Sequence, residues 1–177
     1  MPKTSVVIAH VPYSEEAEKN LDICLSSIRA QYDELILVVN DGIGYGKSFN
    51  RGFKYATGDY IFLISNDTVL VEGKLSQLLV PNAIGVPVVN EGGTQFGCFA
   101  CVPRNVYESV GLFDERFTGA YFEDDDLLRR WNNAGIGLTR VSDVRILHEG
   151  GATVKAIMNE GELMAKNRKL FDEKWSQ

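Results

Sequence analysis

The chain has 177 residues, of which 45% are hydrophobic, and a formal net charge of −6 at pH 7. This length and apolar content predict one globular domain with a single substantial core. The acidic balance, without a basic stripe, argues against nucleic acid or an anionic membrane surface as the main partner.

The N-terminal residues 1–9 lead directly into a strand pattern and lack the apolar core of a signal peptide. No apolar run approaches the length of a membrane-spanning helix. We therefore expect a cytoplasmic protein with no transmembrane segment.

Three cysteines, Cys24, Cys98 and Cys101, are too few and odd in number for a disulfide framework. Cys98 and Cys101 form a CxxC, but they lie in a strand-like stretch and have no second cysteine pair to complete a zinc site. We interpret them as small core side chains.

Strand and helix patterns alternate from the start of the chain. The predicted elements are strand 6–9, helix 15–30, strand 35–39, helix 47–56, strand 60–64, a brief helix 75–79, strands 84–89 and 96–102, helix 105–110, a helix opened by Glu123, strands 136–141 and 144–148 paired through Ser142-Asp143, and helix 160–175. The opening β-α-β-α-β order predicts an α/β sheet whose ligands bind at the carboxyl ends of its strands.

Polar residues stand where three of these elements begin or end. Strand 60–64 breaks into Asn66 and Asp67, and strand 144–148 ends at His148. An acid cluster opens the next helix, and it consists of Glu123, Asp124, Asp125 and Asp126. Carboxylate and imidazole both ligate divalent cations at neutral pH, so Asp67 and His148 predict a metal-assisted site that faces an acid-lined helix start.

Each of these residues also has a purely structural interpretation. Acidic residues are favoured in the first turn of any helix, and Asn66-Asp67 and Asp41-Gly42 are good turn sequences. A histidine at a strand end, such as His148, can simply be hydrogen-bonded. The coincidence of the three features favours a functional site.

Over essentially its whole length the sequence resembles the inverting family 2 glycosyltransferases of the GT-A fold. The segments that carry the resemblance are Ser5-Val6-Val7-Ile8, Val38-Val39-Asn40-Asp41-Gly42, Asn50-Arg51-Gly52, Leu63-Ile64-Ser65-Asn66-Asp67-Thr68, Gly111-Leu112-Phe113-Asp114-Glu115-Arg116-Phe117, Glu123-Asp124-Asp125-Asp126-Leu127 with Arg130, His148 with Gly150-Gly151, and Phe171 with Lys174-Trp175. The resemblance implies a single domain with a mixed, mainly parallel, Rossmann-like sheet flanked by helices. It implies that residues 1–70 bind the nucleotide sugar and that residues 71–177 carry the acceptor and catalytic groups.

The resemblance also implies roles for individual residues. Asp67 and His148 would bind a divalent cation, Mn²⁺ or Mg²⁺. Asp124 would be the general base, while Glu123 and Asp126 would position the acceptor or hold the loop. The nucleoside diphosphate sugar donor would contact four residues: His10, Asp41, Asn50 and Asn66. Independently of the resemblance, Lys47 stands at a glycine-flanked helix start, where we expect it to meet a phosphate of the donor. The acceptor would carry a hydroxyl group, and its class is not specified.

Glycosyl transfer requires groups of these types. The diphosphate leaves with growing negative charge, which a cation that bridges its oxygens stabilises. The attacking hydroxyl must lose its proton, and a carboxylate within hydrogen-bond reach can accept it. Asp67 and His148 leave the other positions around a hard cation to the diphosphate and to water.

Two departures from the family pattern keep other interpretations open. The stretch 42–47 is shorter than in typical relatives, and Ser65 and Asn66 stand where acids often stand. The sequence thus resembles a nearly minimal catalytic domain. The alternatives are a nucleotidyltransferase and a non-catalytic module that binds nucleotide or glycan on a degenerate transferase scaffold. The Glu123-Asp124 pair favours the transferase over the module, because binding alone requires no base.

Overall fold

One seven-stranded sheet runs through the computed structural model, which describes residues 1–93, 95–150 and 160–176. The strands are β1 (Thr4–His10), β2 (Glu34–Val39), β3 (Tyr60–Ser65), β4 (Thr68–Glu72), β5 (Ile84–Val89), β6 (Phe99–Pro103) and β7 (Leu138–His148). The helices are α1 (Glu15–Ser27), α2 (Tyr45–Tyr55), α3 (Arg104–Val110), α4 (Glu123–Asn133) and α5 (Glu160–Trp175), and a 3-10 helix covers Leu75–Leu78. None of the described helices combines the length and the apolar character that crossing a membrane requires.

The sheet has the strand order β2-β1-β3-β6-β5-β7-β4. Strand β1 pairs in parallel with β2 and β3, and β5 pairs in parallel with β7. Strand β6 is antiparallel to both β3 and β5, and β4 is antiparallel to β7. The expected mixed α/β sheet flanked by helices is confirmed, but parallel pairs do not predominate among the described strands.

The C-terminal strand corrects the predicted hairpin. Residues 138–148 form one continuous strand, and Ser142-Asp143 is not a turn between two strands. Pro87 of β5 pairs with Val141 whereas Val88 pairs with Arg145, so residues 142–144 form a bulge in β7. The second half of β7 also pairs with β4, a strand that the sequence pattern did not predict. Pairing on both sides outweighs the local turn preference of serine and aspartate.

Each face of the sheet has its own hydrophobic core. Along β1, Val7 faces one cluster while Val6 and Ile8 face the other, as the alternation of a strand requires. Helices α2 and α4 contribute Phe53 and Trp131 to the first cluster. Helix α1 and the residue that follows it cover the second cluster with buried side chains at helical spacing, namely Leu21, Cys24 and Ile28.

All three cysteines are buried and free. Burial raises the pKa of Cys24 and that of Cys98 to about 12, and it raises the pKa of Cys101 well above its usual range. The thiols therefore stay protonated at neutral pH. The interpretation of Cys98 and Cys101 as core residues is confirmed.

The close contact of α2 with β1 depends on Gly52. A Cβ atom at this position would lie 2.2 Å from Val7 Cγ1 and 3.1 Å from Val38 Cγ2. We expect Gly52→Ala to lower the free energy of unfolding by about 1–3 kcal/mol, because overpacking outweighs the gain in helix propensity. Urea unfolding measures this change.

Gly137→Ala is the control, since no atom lies within 4 Å of a Cβ built there. We expect the control to change stability by less than about 0.5 kcal/mol. A Gly52→Ala protein as stable as wild type would contradict the close approach of α2 to the sheet.

Candidate active site

A cavity of about 400 Å³ opens at the carboxyl ends of the central strands. The sheet contributes Ala9 of β1, Ser65 of β3 and His148 of β7 to its wall. Helix α4 contributes its first two residues, Glu123 and Asp124. The cavity therefore brings together the strand-end residues and the acid-lined helix start that the sequence singles out.

Asp67 and His148 form a close pair on the cavity wall. Asp67 directly precedes β4, and the side chains of both residues are only 13% exposed. His148 Nε2 lies 3.3 Å from Asp67 Oδ1. Pairing of β4 with β7 places Thr68 opposite His148, and this register brings the preceding residue, Asp67, to the imidazole.

Two polar side chains orient His148. Its Nδ1 lies 3.0 Å from Gln95 Oε1, a geometry in which Nδ1–H donates to the amide oxygen. Its backbone N–H donates to Asn90 Oδ1 at 3.0 Å, and Asn90 Nδ2 donates to the backbone oxygen of His148 at 3.2 Å. With Nδ1 directed at Gln95, Nε2 is the ring nitrogen that faces Asp67.

This arrangement fits a divalent cation. A ligating histidine commonly donates its other ring N–H to an oxygen, as His148 does to Gln95, and a carboxylate oxygen of Asp67 faces its Nε2. Across residues 1–93, 95–150 and 160–176, no group of three or more acidic, histidine or cysteine side chains could hold a metal. Asp67 and His148 would thus supply two ligands, and substrate oxygens and water would supply the others.

Glu123 is the most unusual acid of the cavity. Its residue is 6% exposed, and its Oε2 atom has no hydrogen-bond partner. Burial, reinforced by the neighbouring Asp124 carboxylate, raises the pKa of Glu123 to about 8. At neutral pH this carboxyl is largely protonated, and it can donate a hydrogen bond into the cavity.

Asp124 lies beside Glu123 and over the backbone of Gly97. A Cβ atom on Gly97 would lie 3.1 Å from Asp124 Oδ2, so the glycine leaves room for this carboxylate. Burial, followed by repulsion from Asp125, raises the pKa of Asp124, while a hydrogen bond from the Asp125 backbone N–H (3.0 Å) opposes that shift. The result is a carboxylate of increased basicity on the cavity wall.

Among the predicted donor-binding residues, Asn66 lines the cavity. Asn66 Nδ2 donates to His10 Nδ1 at 3.0 Å, and His10 Nε2 lies 3.0 Å from Glu18 Oε1. His10 is 3% exposed and stands behind Asn66, outside the lining residues. Its contacts support Asn66 and leave no ring nitrogen free for a ligand.

Three other predicted donor-binding residues lie outside the lining residues of the cavity: Asp41, Lys47 and Asn50. Asp41 is exposed, while its neighbours Asn40 and Gly42 line the wall. Asn50 exchanges hydrogen bonds with the backbone of Phe113, at 2.9 Å and 3.1 Å, and so fixes that loop. None of these three side chains lines the cavity, so the structure gives no support to direct contacts between them and the donor.

The first backbone N–H of α2 also has a partner. The backbone N–H of Tyr45 donates to the Gly119 carbonyl at 2.8 Å, at the helix end where Lys47 was expected to meet a phosphate. The Tyr45 hydroxyl hydrogen-bonds to the Gly97 carbonyl and lies 3.4 Å from Ser65 Oγ. Burial raises the pKa of Tyr45 well above its usual range, so the hydroxyl keeps its proton.

Asp126 is fully buried and does not line the cavity. It accepts from Arg130 Nε at 2.9 Å and from Trp175 Nε1 at 3.0 Å, and Lys174 Nζ lies 2.6 Å away. These contacts join α4 to α5. Of the two roles expected for Asp126, they support holding the local structure and not contact with an acceptor.

Sequence reasoning missed Gln95, Tyr45 and the segment Gly119–Tyr121, all of which line the cavity. Gln95 and Tyr45 act through contacts with residues more than fifty positions away in the chain. No periodicity or spacing in the sequence indicates such contacts.

No family model matches the sequence, and no curated protein sequence matches it. Solved structures do match the fold. GalNAc-T7, in a crystal structure with UDP, GalNAc and Mn²⁺, is 13% identical at a TM-score of 0.76, and the match covers 99% of this chain and 48% of that chain. The chain thus spans about half the length of GalNAc-T7.

Two further structures match over most of this chain. A variant of Drosophila β1,4-galactosyltransferase 7 in complex with manganese, UDP-Gal and xylobiose is 16% identical at a TM-score of 0.63, and 91% of this chain and 79% of that chain are covered. The mannosyltransferase PcManGT from Pyrobaculum calidifontis, in complex with GDP-Man and Mn²⁺, is 13% identical at a TM-score of 0.61, with coverage of 85% and 58%. The expected GT-A-type glycosyltransferase fold is confirmed.

The buried carboxyl of Glu123 predicts a distinct dependence of stability on pH. Glutamate ionises near 4.5 in the unfolded chain but near 8 in the folded protein. Its stabilising contribution is therefore complete below pH 4.5 and is lost as the pH rises to about 8.

Glu123→Gln removes this titration while it keeps the shape and polarity of the protonated acid. We expect the stability of the variant relative to wild type to increase between about pH 5 and about pH 8, by on the order of 1–3 kcal/mol. Urea unfolding in the presence of a chelator measures both proteins. Parallel pH profiles for the two proteins would contradict the burial of an ionisable Glu123.

Proposed function

We propose that this protein is a metal-dependent glycosyltransferase that moves a sugar from a nucleoside diphosphate sugar to an acceptor hydroxyl with inversion. The observation that carries this proposal is the single cavity that holds Asp67 and His148 together with Glu123 and Asp124. One pair suits a cation, and the other suits proton transfer and hydrogen bonding to a sugar.

The structural neighbours support the same reaction class. GalNAc-T7 was solved with UDP and Mn²⁺, the galactosyltransferase with UDP-Gal and manganese, and the mannosyltransferase with GDP-Man and Mn²⁺. Each therefore binds a nucleotide or nucleotide sugar together with manganese. We propose that the present cavity binds a donor of the same class together with a divalent cation, Mn²⁺ or Mg²⁺.

On the donor side, Asp67 and His148 would hold the cation. When bound, the cation neutralises the charge that develops on the departing diphosphate. Gln95 keeps the His148 ring in the orientation that directs Nε2 toward Asp67. The neighbouring wall, with Ala9, Asn40 and Gly42, would receive the nucleoside end of the donor.

On the acceptor side, Asp124 would accept the proton of the attacking hydroxyl. Burial raises the pKa of Asp124 and so increases the basicity of its carboxylate. Attack by a hydroxyl that Asp124 activates, on the face of the sugar away from the diphosphate, inverts the anomeric centre in one step. This reaction uses Asp124 once and requires no covalent sugar–enzyme intermediate.

Glu123 would act as a hydrogen-bond donor. Glu123 lines the cavity, and its protonated carboxyl would donate a hydrogen bond to a substrate hydroxyl or ring oxygen. Two adjacent acids that face a cavity are costly to bury, since each loses its hydration. A module that only binds ligand needs no base such as Asp124. The cost of burying the two acids therefore favours a transferase, which uses one of them as a base.

Asp124→Asn tests the base. The amide keeps the size of the carboxylate but cannot accept the proton, so we expect transfer to fall by about 10²–10⁴-fold while donor affinity stays within about twofold. Released nucleoside diphosphate and calorimetric donor binding measure the two quantities.

Asp125→Asn is the matched control, because Asp125 is the exposed neighbour in the same helical turn. We expect it to keep nearly full activity. Loss of donor binding in Asp124→Asn, with the fold intact, would remove the role of base from Asp124. Donor binding without transfer in the wild-type protein would favour a binding module.

Asp67→Asn tests the cation site. An amide oxygen is a weaker ligand than a carboxylate, so we expect Mn²⁺-dependent donor binding to weaken by about 10-fold or more, and chelator to abolish it in the wild-type protein. Calorimetry with nucleoside diphosphate, with and without Mn²⁺, measures this. Asp143→Asn, on the bulge of β7, is the control. A donor affinity that neither chelator nor Asp67→Asn changes would contradict the cation site.

A further inference from the structure

The loop 118–122 forms part of the cavity wall directly before Glu123. Gly119, Ala120 and Tyr121 line the cavity. The last two residues of the loop, Tyr121 and Phe122, have φ angles of +74° and +68°, in the left-handed region that residues other than glycine rarely adopt. The chain therefore enters α4 through a strained conformation, which persists only where other contacts enforce it.

Asn167 of α5 supplies most of these contacts. Asn167 is completely buried, and its side-chain Nδ2 lies 3.0 Å from the Thr118 carbonyl, 2.8 Å from that of Ala120 and 3.1 Å from that of Tyr121. The two N–H bonds of the amide therefore serve three carbonyls, and two of these carbonyls share one N–H. The two remaining carbonyls of the loop accept from elsewhere: Gly119 from the Tyr45 N–H, and Phe122 from the Asp126 N–H. Each loop carbonyl thus has a donor, and three of the five depend on one side chain.

Other residues of α5 contact the same loop from the same helical face. Glu160 Oε1 accepts from the Tyr121 hydroxyl at 2.5 Å, and the Phe171 ring lies 5.7 Å from the ring of Phe122. One face of α5 is marked by helical spacing and carries residues 160, 167, 171 and 174. Lys174 continues this face to Asp126 in the first turn of α4.

We propose that Asn167 is a positioning residue of the candidate active site, because it holds the loop 118–122 in the strained conformation from which Glu123 and Asp124 enter the cavity. The proposal rests on the proposed function for its effect on turnover. Its structural part does not, because the three hydrogen bonds restrain the loop whatever reaction takes place. A residue of the same shape without N–H groups would leave three carbonyls without their donor.

Asn167→Ala is the test, and two backbone amides report on the loop. The N–H groups of Tyr45 and Asp126 donate to the carbonyls of Gly119 and Phe122. When the loop is released, we expect these two amides to exchange with solvent about tenfold faster or more, as measured by NMR, while amides at the centre of β1 keep their rates. Lys169→Ala, on the exposed side of α5, is the control.

Turnover provides the second readout. We expect kcat of Asn167→Ala to fall by about 10–100-fold, because displacement of a positioned base by about 1 Å is costly. Affinity for nucleoside diphosphate with Mn²⁺, assigned to Asp67 and His148, is expected to be retained. If Asn167→Ala fails to fold, Glu160→Ala removes only the link to Tyr121 and is expected to change both readouts in the same direction, by a smaller factor.

The outcomes separate this proposal from the proposed function. Unchanged exchange of the Tyr45 and Asp126 amides would overturn the restraint, as would equally faster exchange in β1, which indicates only a loss of global stability. Faster local exchange with unchanged kcat would overturn the positioning role. If the wild-type protein transfers no sugar from any donor, the proposed function fails, and the exchange rates still decide whether Asn167 restrains the loop.

Discussion

The antiparallel pairing of β4 with β7 is the constraint on which the candidate site depends. Thr68 stands opposite His148, so Asp67, which precedes β4, must meet the imidazole. The Thr68 hydroxyl donates to the Ser65 carbonyl at 2.8 Å and closes the turn between β3 and β4. A register slip of one residue would turn His148 to the other face of the sheet. Two hydrogen bonds between Asn90, which follows β5, and the backbone of His148 anchor the end of β7 on its other side.

Environment, rather than residue type, differentiates the acids at the start of α4. Asp126 is fully buried but is matched by cations and an indole N–H, so its charge is compensated within the fold. Asp125 is exposed to solvent. Glu123 and Asp124 face the cavity, and burial raises the pKa of both. Four consecutive acids thus have separate physical roles because the helix turns each toward a different surrounding.

Hydrophobic patterns predicted most helices and strands, because burial of one face determines the period of α1 and burial of both faces makes the central strands continuous apolar runs. The period could not predict which strands pair. Ser142-Asp143 has the chemistry of a turn, but it lies in a bulge of β7, a strand that pairs with β5 on one side and with β4 on the other. Asp67 and His148 could be placed near strand ends from the apolar runs that precede them, but their meeting depends on the antiparallel pairing of β4 with β7, which no apolar run indicates. Asp41 illustrates the limit: Asn40 and Gly42 line the cavity, and the residue between them does not.

The contact between Asn66 and His10 explains why an amide suits position 66. Asn66 Nδ2 donates to Nδ1 of a buried His10, whose Nε2–H in turn faces the Glu18 carboxylate. An aspartate at position 66 could accept but not donate, so His10 would have to be protonated to bond to both carboxylates. The site would then bury a further anion beside Asp67 together with a cation behind it, and both would lose hydration. Asparagine avoids that cost while it keeps the turn that presents Asp67 to the cavity. The hydrogen bonds around position 66 therefore fit a neutral amide there, and Asp67 is the one carboxylate between β3 and β4.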